Sequence, residues 1–207
     1  MSFHNPPIST FLLPSLWRFD RLLESVRSIF ETCHGANNIE VVIRLHLSDT
    51  EAYQRARELF EIDPLRIKVI WGDDKPVGTS NEWLWNDLLK HALGAWLQFW
   101  SDDLILHGKG WDTMLINTPT EGFLCQPEIH RLNHSIYLEN MDGPAPFVPR
   151  EAMKLFHQGR LPKLPDVACY DLLVKHYGWK VKFLPGIEVQ HNRINDRTLA
   201  VSYAHEI

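Results

Sequence analysis

The chain has 207 residues, 44% hydrophobic and 23% charged, which fits one ordinary folded domain and excludes a disordered chain. No apolar run approaches the roughly 18 residues of a membrane helix, and the first residues lack the basic start and apolar middle of a secretory signal, so a soluble cytoplasmic protein without an integral membrane segment is expected. A formal charge of −5 disfavours capture of nucleic acid by overall charge, and 3 cysteines, odd in number and without metal-ligand spacing, exclude a disulfide framework and a cysteine zinc site.

In chain order, Ile8 to Leu13 is a short apolar run stopped by Pro14, which reads as a strand. Leu16, Phe19, Leu22, Leu23, Val26, Ile29 and Phe30 then fall on one helical face, with Arg18, Arg21, Glu24 and Arg27 opposite. After Gly35, a second strand is expected where Ile39, Val41, Ile43, Leu45 and Leu47 alternate with Glu40, Arg44 and His46. Ser48 and Glu51 are spaced as a capping box for a helix that Pro64 ends. Ile67 to Trp71 makes a third strand, and Ser80 or Asn81 caps a helix running to Gly94. Trp96 to Trp100 reads as a fourth, buried strand. Strands alternating with helices predict a parallel sheet with right-handed crossovers.

Beyond Asp103 the pattern changes. A short helix is expected at Trp111 to Ile116, and hairpin strands at Phe123 to Cys125 and Ile136 to Leu138. Helices follow over Arg150 to His157 and from Pro165 to Gly178, then strands at Val181 to Leu184 and Ile187 to Val189. The predicted class is α/β: a mostly parallel, Rossmann-like sheet flanked by helices, with a smaller mixed sheet in the second half. It forms a single domain over residues 1–207, with halves at residues 8–103 and 104–207.

The glycine-rich phosphate motifs G-x-G-x-x-G and G-x-x-x-x-G-K-[ST] are missing, which argues against a dinucleotide oxidoreductase or a P-loop enzyme. What sits at a strand end is Ser101-Asp102-Asp103. In an open parallel sheet the carboxyl ends of the strands form the ligand crevice, where paired carboxylates can hold a divalent cation against a diphosphate. The plainer alternative is an acidic turn, as at Asp73-Asp74. Eight tryptophans are suited to filling a core or walling a site for flat ligands such as sugars and bases.

Several motifs follow one another in a telling order. Pro14-Ser15-Leu16-Trp17-Arg18 forms a first loop, Trp85-Asn86 and Gly94 precede the acidic strand end, and Gly110-Trp111 comes soon after it. Pro165-Asp166 starts a helix that leads to Gly178-Trp179, and Val189-Gln190-His191 ends a strand. This order resembles the glycosyltransferases of the GT-A fold, particularly their inverting family 2-like group, over residues Ile8 to Arg197.

The resemblance implies a nucleotide-sugar site built from Pro14, Ser15, Trp17, Arg18 and Asn86, with Trp17 able to stack on the nucleobase and Trp85 and Trp100 in the core. It implies a D-x-D-type motif in which Ser101 replaces the first acid, leaving Asp103 as the leading metal ligand and Asp102 to contact the ribose or hold the metal through water. His191 adds an imidazole, which favours Mn2+ over Mg2+. The acid the family often places after the second strand is absent, so either His46 substitutes or Asp49 reaches in.

Inversion needs a base opposite the leaving group. Asp166 is the candidate and is also a good helix N-cap, with Asp171 as the second choice. Arg193 and Arg197 either clamp the diphosphate or carry solvated tail charge. The implied reaction moves a sugar from a nucleoside-diphosphate sugar, expected to be a UDP-sugar, to an acceptor hydroxyl. The acceptor is a saccharide or glycoconjugate, or a hydroxymethylated DNA base met by Lys154, Arg160, Lys163, Lys175, Lys180 and Lys182. Alternatives are a catalytically silent nucleotide-binding scaffold of the same fold and a nucleotidyltransferase.

Overall fold

Every one of the 8 residues of β2 (Ile39–His46) is buried, including Glu40, Arg44 and His46. A strand with only one covered face would leave its polar alternates in water; here helices cover both faces, as a parallel sheet requires. The computed structural model describes residues 6–73, 82–131, 146–156 and 165–191. β2 lies between β1 (Ser9–Pro14) and β3 (Ile67–Gly72), and β4 (Trp96–Phe99) pairs with β1 on its other side, all four parallel.

The apolar stripe of α1 (Phe19–Thr32) packs Leu22, Val26 and Ile29 against Phe11, Val41 and Ile43. The opposite face buries Leu12, Val42, Leu97 and Phe99 under Leu88 of α4 (Glu82–Leu89). Trp100 and Trp111 meet Phe11 edge-on, each with its ring centroid 5.3 Å away. Trp85 packs edge-on against Phe99.

The strands of the second half extend the same sheet instead of standing apart from it. β7 (Phe147–Pro149) lies antiparallel on the free edge of β4, followed by β6 (Phe123–Arg131), β8 (Lys180–His191) and β5 (Leu104–His107), giving the eight-stranded order β3-β2-β1-β4-β7-β6-β8-β5. β6 and β8 run parallel, while β5 is antiparallel to β8. The two short strands expected near the end are one strand, β8, which absorbs Pro185, Gly186 and Ile187 as a bulge between the pairs Pro127–Leu184 and Glu128–Glu188. β5 lies where no strand was expected.

Other elements differ in detail. The helix after β2 is capped by Asp49, whose side chain accepts the Ala52 N–H, while Ser48 turns back to His46. It divides into α2 (Thr50–Arg55) and α3 (Arg57–Ile62). Residues 150–155 form a 3-10 helix. The segment opened by α6 (Pro165–Tyr170) continues as a π-helical turn over Asp171–His176. The expected caps Ser80 and Asn81 and the expected strand Ile136 to Leu138 lie outside the described residues. All three cysteines are free thiols, and among the described residues no helix is long and apolar enough to cross a membrane.

One buried acid fixes the approach of α5 (Trp111–Ile116) to the loop after α1. Asp112, fully buried, accepts the backbone N–H groups of His34 and Gly35 and the side-chain amide of Asn38, each at 3.0 Å. Burial by itself would raise its carboxyl, but these donors outweigh that and hold it below the ordinary value of 3.8. An acid depressed on folding adds stability above its unfolded pKa, and the contribution disappears as pH falls through the lower folded value. Asp112→Asn is therefore expected to cost about 2 kcal/mol at pH 7, a melting-temperature loss of roughly 4–8 °C. The gap to wild type should shrink below about pH 4. Melting curves at pH 7 and pH 3 check this, and a gap that is independent of pH sinks it.

Candidate functional site

β2 and β3 wind away from one side of β1 and β4 from the other. Such a reversal opens a crevice beyond the carboxyl ends of β1 and β4. The loop Ser15 to Arg18 leaves β1 into this crevice, and Ser101 to Asp103 leaves β4 beside it. Antiparallel pairing then adds the third component: Leu104 of β5 is opposite His191 of β8, which carries the histidine to the residue preceding β5, Asp103.

Asp102 is fully buried and turned toward the first loop. Its Oδ2 accepts the Ser15 hydroxyl at 2.6 Å, and Arg18 Nη2 stands 2.8 Å from Oδ1. That second contact lies off the hydrogen-bond axis, since Oδ1 makes no directed bond, so it acts as an ion pair. Burial pushes the Asp102 carboxyl up to about 6, with Arg18 and Ser15 drawing it partly back. Asp103 goes the other way. Burial would raise it, yet the hydrogen bonds from His191 and Ser101, with the charges of His191 and Arg18, bring it to about 2. Its Oδ2 faces His191 Nε2 at 3.3 Å and Arg18 Nη1 at 3.9 Å. Its Oδ1 is buried with no hydrogen-bond partner among the described residues.

An orphaned carboxylate oxygen beside an imidazole fits a divalent cation, because a bound ion supplies the partner the buried oxygen lacks. Asp103 and His191 are the residues that would hold it. Among the described residues there is no group of three or more His, Cys, Asp or Glu side chains able to bind metal.

The loop that carries Arg18 is fastened by Asp49. One of its oxygens accepts the Trp17 N–H at 2.7 Å and the other caps α2. Trp17 adopts φ 54, a left-handed conformation that costs roughly 1–2 kcal/mol in a residue bearing a Cβ, and Asp49 offsets this. Trp17 as a whole is 53% exposed, so the strained turn carries a large flat residue at the surface. Asp49 is 2% exposed and spends both oxygens on backbone. Of the alternatives for the end of the second strand, His46 is also buried and turns its ring to Ser48. Its Nδ1 accepts the Ser48 N–H at 3.2 Å and meets the Ser48 hydroxyl at 2.7 Å, which places the ring proton of the neutral form on Nε2.

Pro14 ends β1 in register with Arg44, and Asn86 lies half-buried on α4. Asp171 is exposed and paired with Lys175 at 2.6 Å. Asp166 lies in the first turn of α6, with its side chain outside the described set, as are Arg193 and Arg197 entirely.

Arg44 was not singled out by its sequence pattern. It is 4% exposed, lies over the Trp83 ring at 4.1 Å, donates to the Asp73 carbonyl at 3.0 Å and pairs with Asp87 at 3.4 Å. Gly72 makes room for it, since a Cβ there would come within 2.1 Å of Nη2. The available signal was a guanidinium inside a strand that helices cover on both sides.

No protein-family model matches the chain, and no curated protein sequence matches it. Solved structures do. The mannosyltransferase PcManGT from Pyrobaculum calidifontis, in complex with GDP-Man and Mn2+, is similar with a TM-score of 0.69 and 16% identity, over 95% of this chain and 60% of that one. TarS 1-349 of S. aureus in complex with UDP gives 0.63 and 13%, over 88% and 60%. GalNAc-T7 with UDP, GalNAc and Mn2+ gives 0.66 and 12%, over 90% and 44%. The chain thus spans about 60% or less of each neighbour's length. These neighbours are GT-A glycosyltransferases, and the α/β sheet flanked by helices described above is the GT-A fold.

Proposed function

We propose that the protein is a metal-dependent, inverting glycosyltransferase of the family 2-like kind, which moves a sugar from a nucleoside-diphosphate sugar to an acceptor hydroxyl. The observation that carries this reading is the cluster of Ser15, Arg18, Asp102, Asp103 and His191 at the reversal point of the sheet. It is supported by the UDP, GDP-Man and Mn2+ in the neighbours' complexes. A UDP-sugar is the proposed donor.

The chemistry suits this cluster. As the acceptor oxygen bonds to the anomeric carbon, the bond to the diphosphate breaks and negative charge grows on the leaving oxygens. Mn2+ or Mg2+ held by Asp103 and His191 would supply Lewis-acid stabilisation of that charge. Asp103 is well suited as a ligand because it stays ionised far below neutral pH. Asp102 and Ser15 fix Arg18 facing the same space, where its guanidinium can meet phosphate oxygens. Trp17 and His46 border the nucleobase side, with Pro14 and Asn86 as further donor-side residues. Arg193 and Arg197 are assigned to the diphosphate.

Asp166 is the proposed base, taking the acceptor proton. Asp171, paired with Lys175, faces solvent. A saccharide or glycoconjugate is the preferred acceptor over modified DNA, because Lys154 and Lys175 are neutralised by Glu151 and Asp171 along their own helical turns.

The test is a thermal-shift panel of UDP- and GDP-sugars with and without Mn2+, followed by release of nucleoside diphosphate. A ligand at 100 times its Kd should stabilise the fold by about 2.7 kcal/mol. Asp166→Asn should leave the donor-induced shift intact and lower transfer by about a hundredfold or more. Donor sugars that neither shift the melting temperature nor release nucleoside diphosphate overturn the assignment. Pyrophosphate release would point to nucleotidyl transfer.

A further inference from the structure

Arg18 puts a fixed positive charge beside the proposed cation site. Its Nη2 lies 2.8 Å from the fully buried Asp102, and its Nη1 lies 3.9 Å from Asp103 Oδ2, the oxygen that also faces His191 at 3.3 Å. The guanidinium cannot leave without stranding a buried carboxylate whose other hydrogen-bond donor among the described residues is Ser15. Its backbone is fixed as well, since the Arg18 carbonyl accepts the Leu22 N–H at the start of α1 and Asp49 holds the preceding residue. A divalent cation on Asp103 and His191 would therefore be bound close to a like charge. The low exposure of Asp103, 16%, leaves little water to screen them.

We propose that Arg18 acts as an electrostatic gate on the cation site. It disfavours a divalent cation bound alone and favours a cation that arrives with a diphosphate, whose negative charge meets the guanidinium and the ion together. Metal and donor then bind as a coupled pair, and by linkage each raises the affinity of the other by the same factor. Arg18 is in this role a positioning residue acting on charge. Both the cation and the anion rest on the metal-dependent nucleotide-sugar reading; the position of the guanidinium beside Asp102 and Asp103 does not.

The experiment is a titration of Mn2+ followed by electron paramagnetic resonance, without and with saturating UDP, on wild type, Arg18→Gln, Arg18→Met and Arg18→Lys. Arg18→Gln keeps a donor for Asp102 and removes the charge, so it serves if Arg18→Met fails to fold. In the neutral variants Mn2+ alone should bind at least about tenfold more tightly than in wild type, and the enhancement by UDP should shrink by a similar factor. Arg18→Lys, which keeps the charge, should stay near wild type. A variant that merely loosened the loop would weaken Mn2+ binding instead. Unchanged or weaker Mn2+ affinity in a folded Arg18→Gln variant overturns the proposal, as does a wild-type Mn2+ affinity indifferent to bound UDP. Calorimetry with UDP in the presence of saturating Mn2+ separates this from the assignment above: UDP that binds while the Arg18 variants leave Mn2+ unaffected sinks the gate only, whereas UDP that fails to bind even with Mn2+ present sinks the donor reading.

Discussion

Asp103→Asn is expected to lower Mn2+-dependent release of nucleoside diphosphate by about a hundred- to a thousandfold while leaving the protein folded. Asp103 is held at about 2, so at working pH it offers a full negative charge, and a carboxamide of the same shape offers none. The substitution keeps an oxygen for His191 and leaves the Ser15–Asp102–Arg18 arrangement in place. Melting should therefore move by only a few degrees. The orphaned Oδ1 sharpens the expectation, because a buried carboxylate oxygen without a donor is tolerated where an ion completes it. Asp102→Asn should behave differently. It breaks an ion pair whose carboxylate is fully buried, so its first effect is on stability. Mn2+-dependent turnover that survives Asp103→Asn at the wild-type rate would remove this carboxylate from the metal site.

The first half of the fold was legible because its strands and helices carry clean periods. β1, β2, β3 and β4 lie where apolar runs between turn signals placed them, and their carboxyl ends point the loop Ser15 to Arg18 and the acids Asp102 and Asp103 into one crevice. The second half was harder to read. β5 has 4 residues, Leu104–His107, too few for a period to stand out, and it follows so closely on Asp103 that its apolar residues read as a loop. β7 has 3 and exists because the edge of β4 needs a partner, a tertiary demand that the local sequence does not encode.

The same limit hid the closeness of His191 to Asp103. The family resemblance brought them together, but the physical cause is the antiparallel register of β5 on β8. The alternation of Glu40 and Arg44 with apolar residues pointed to a strand but not to the burial of these two side chains. With helices on both faces of β2 they are buried, one bracing the loop after β3 through the Asp73 carbonyl and the other anchoring the loop before β4.

Glu40 carries the largest expected effect on stability. It is 3% exposed; its Oε1 accepts the Thr10 hydroxyl at 2.6 Å and the Leu93 N–H, and its Oε2 pairs with Lys68 at 2.7 Å. Thr10 Oγ1 in turn accepts the Gly94 N–H at 2.8 Å, where the chain passes so close to β1 that a Cβ on Gly94 would lie 2.5 Å from the Thr10 nitrogen. Glu40→Ala leaves the Leu93 N–H without its partner, removes an acceptor from Thr10 and opens a void, at a cost of about 3–4 kcal/mol. For a chain of this size that is a fall in melting temperature of roughly 6–16 °C. Lys68 is 40% exposed and regains water, so the ion pair itself contributes the smaller part. Glu40→Gln, which keeps an oxygen for Thr10 and Leu93, should accordingly cost only about 1 kcal/mol. Glu40 lies near the start of β2, roughly 20 Å along the strand from His46 at its end. Donor binding measured well below the melting transition should therefore match wild type in both variants. Equal melting temperatures for the Ala and Gln variants would show that the Lys68 pair, and not the satisfied backbone, holds this corner.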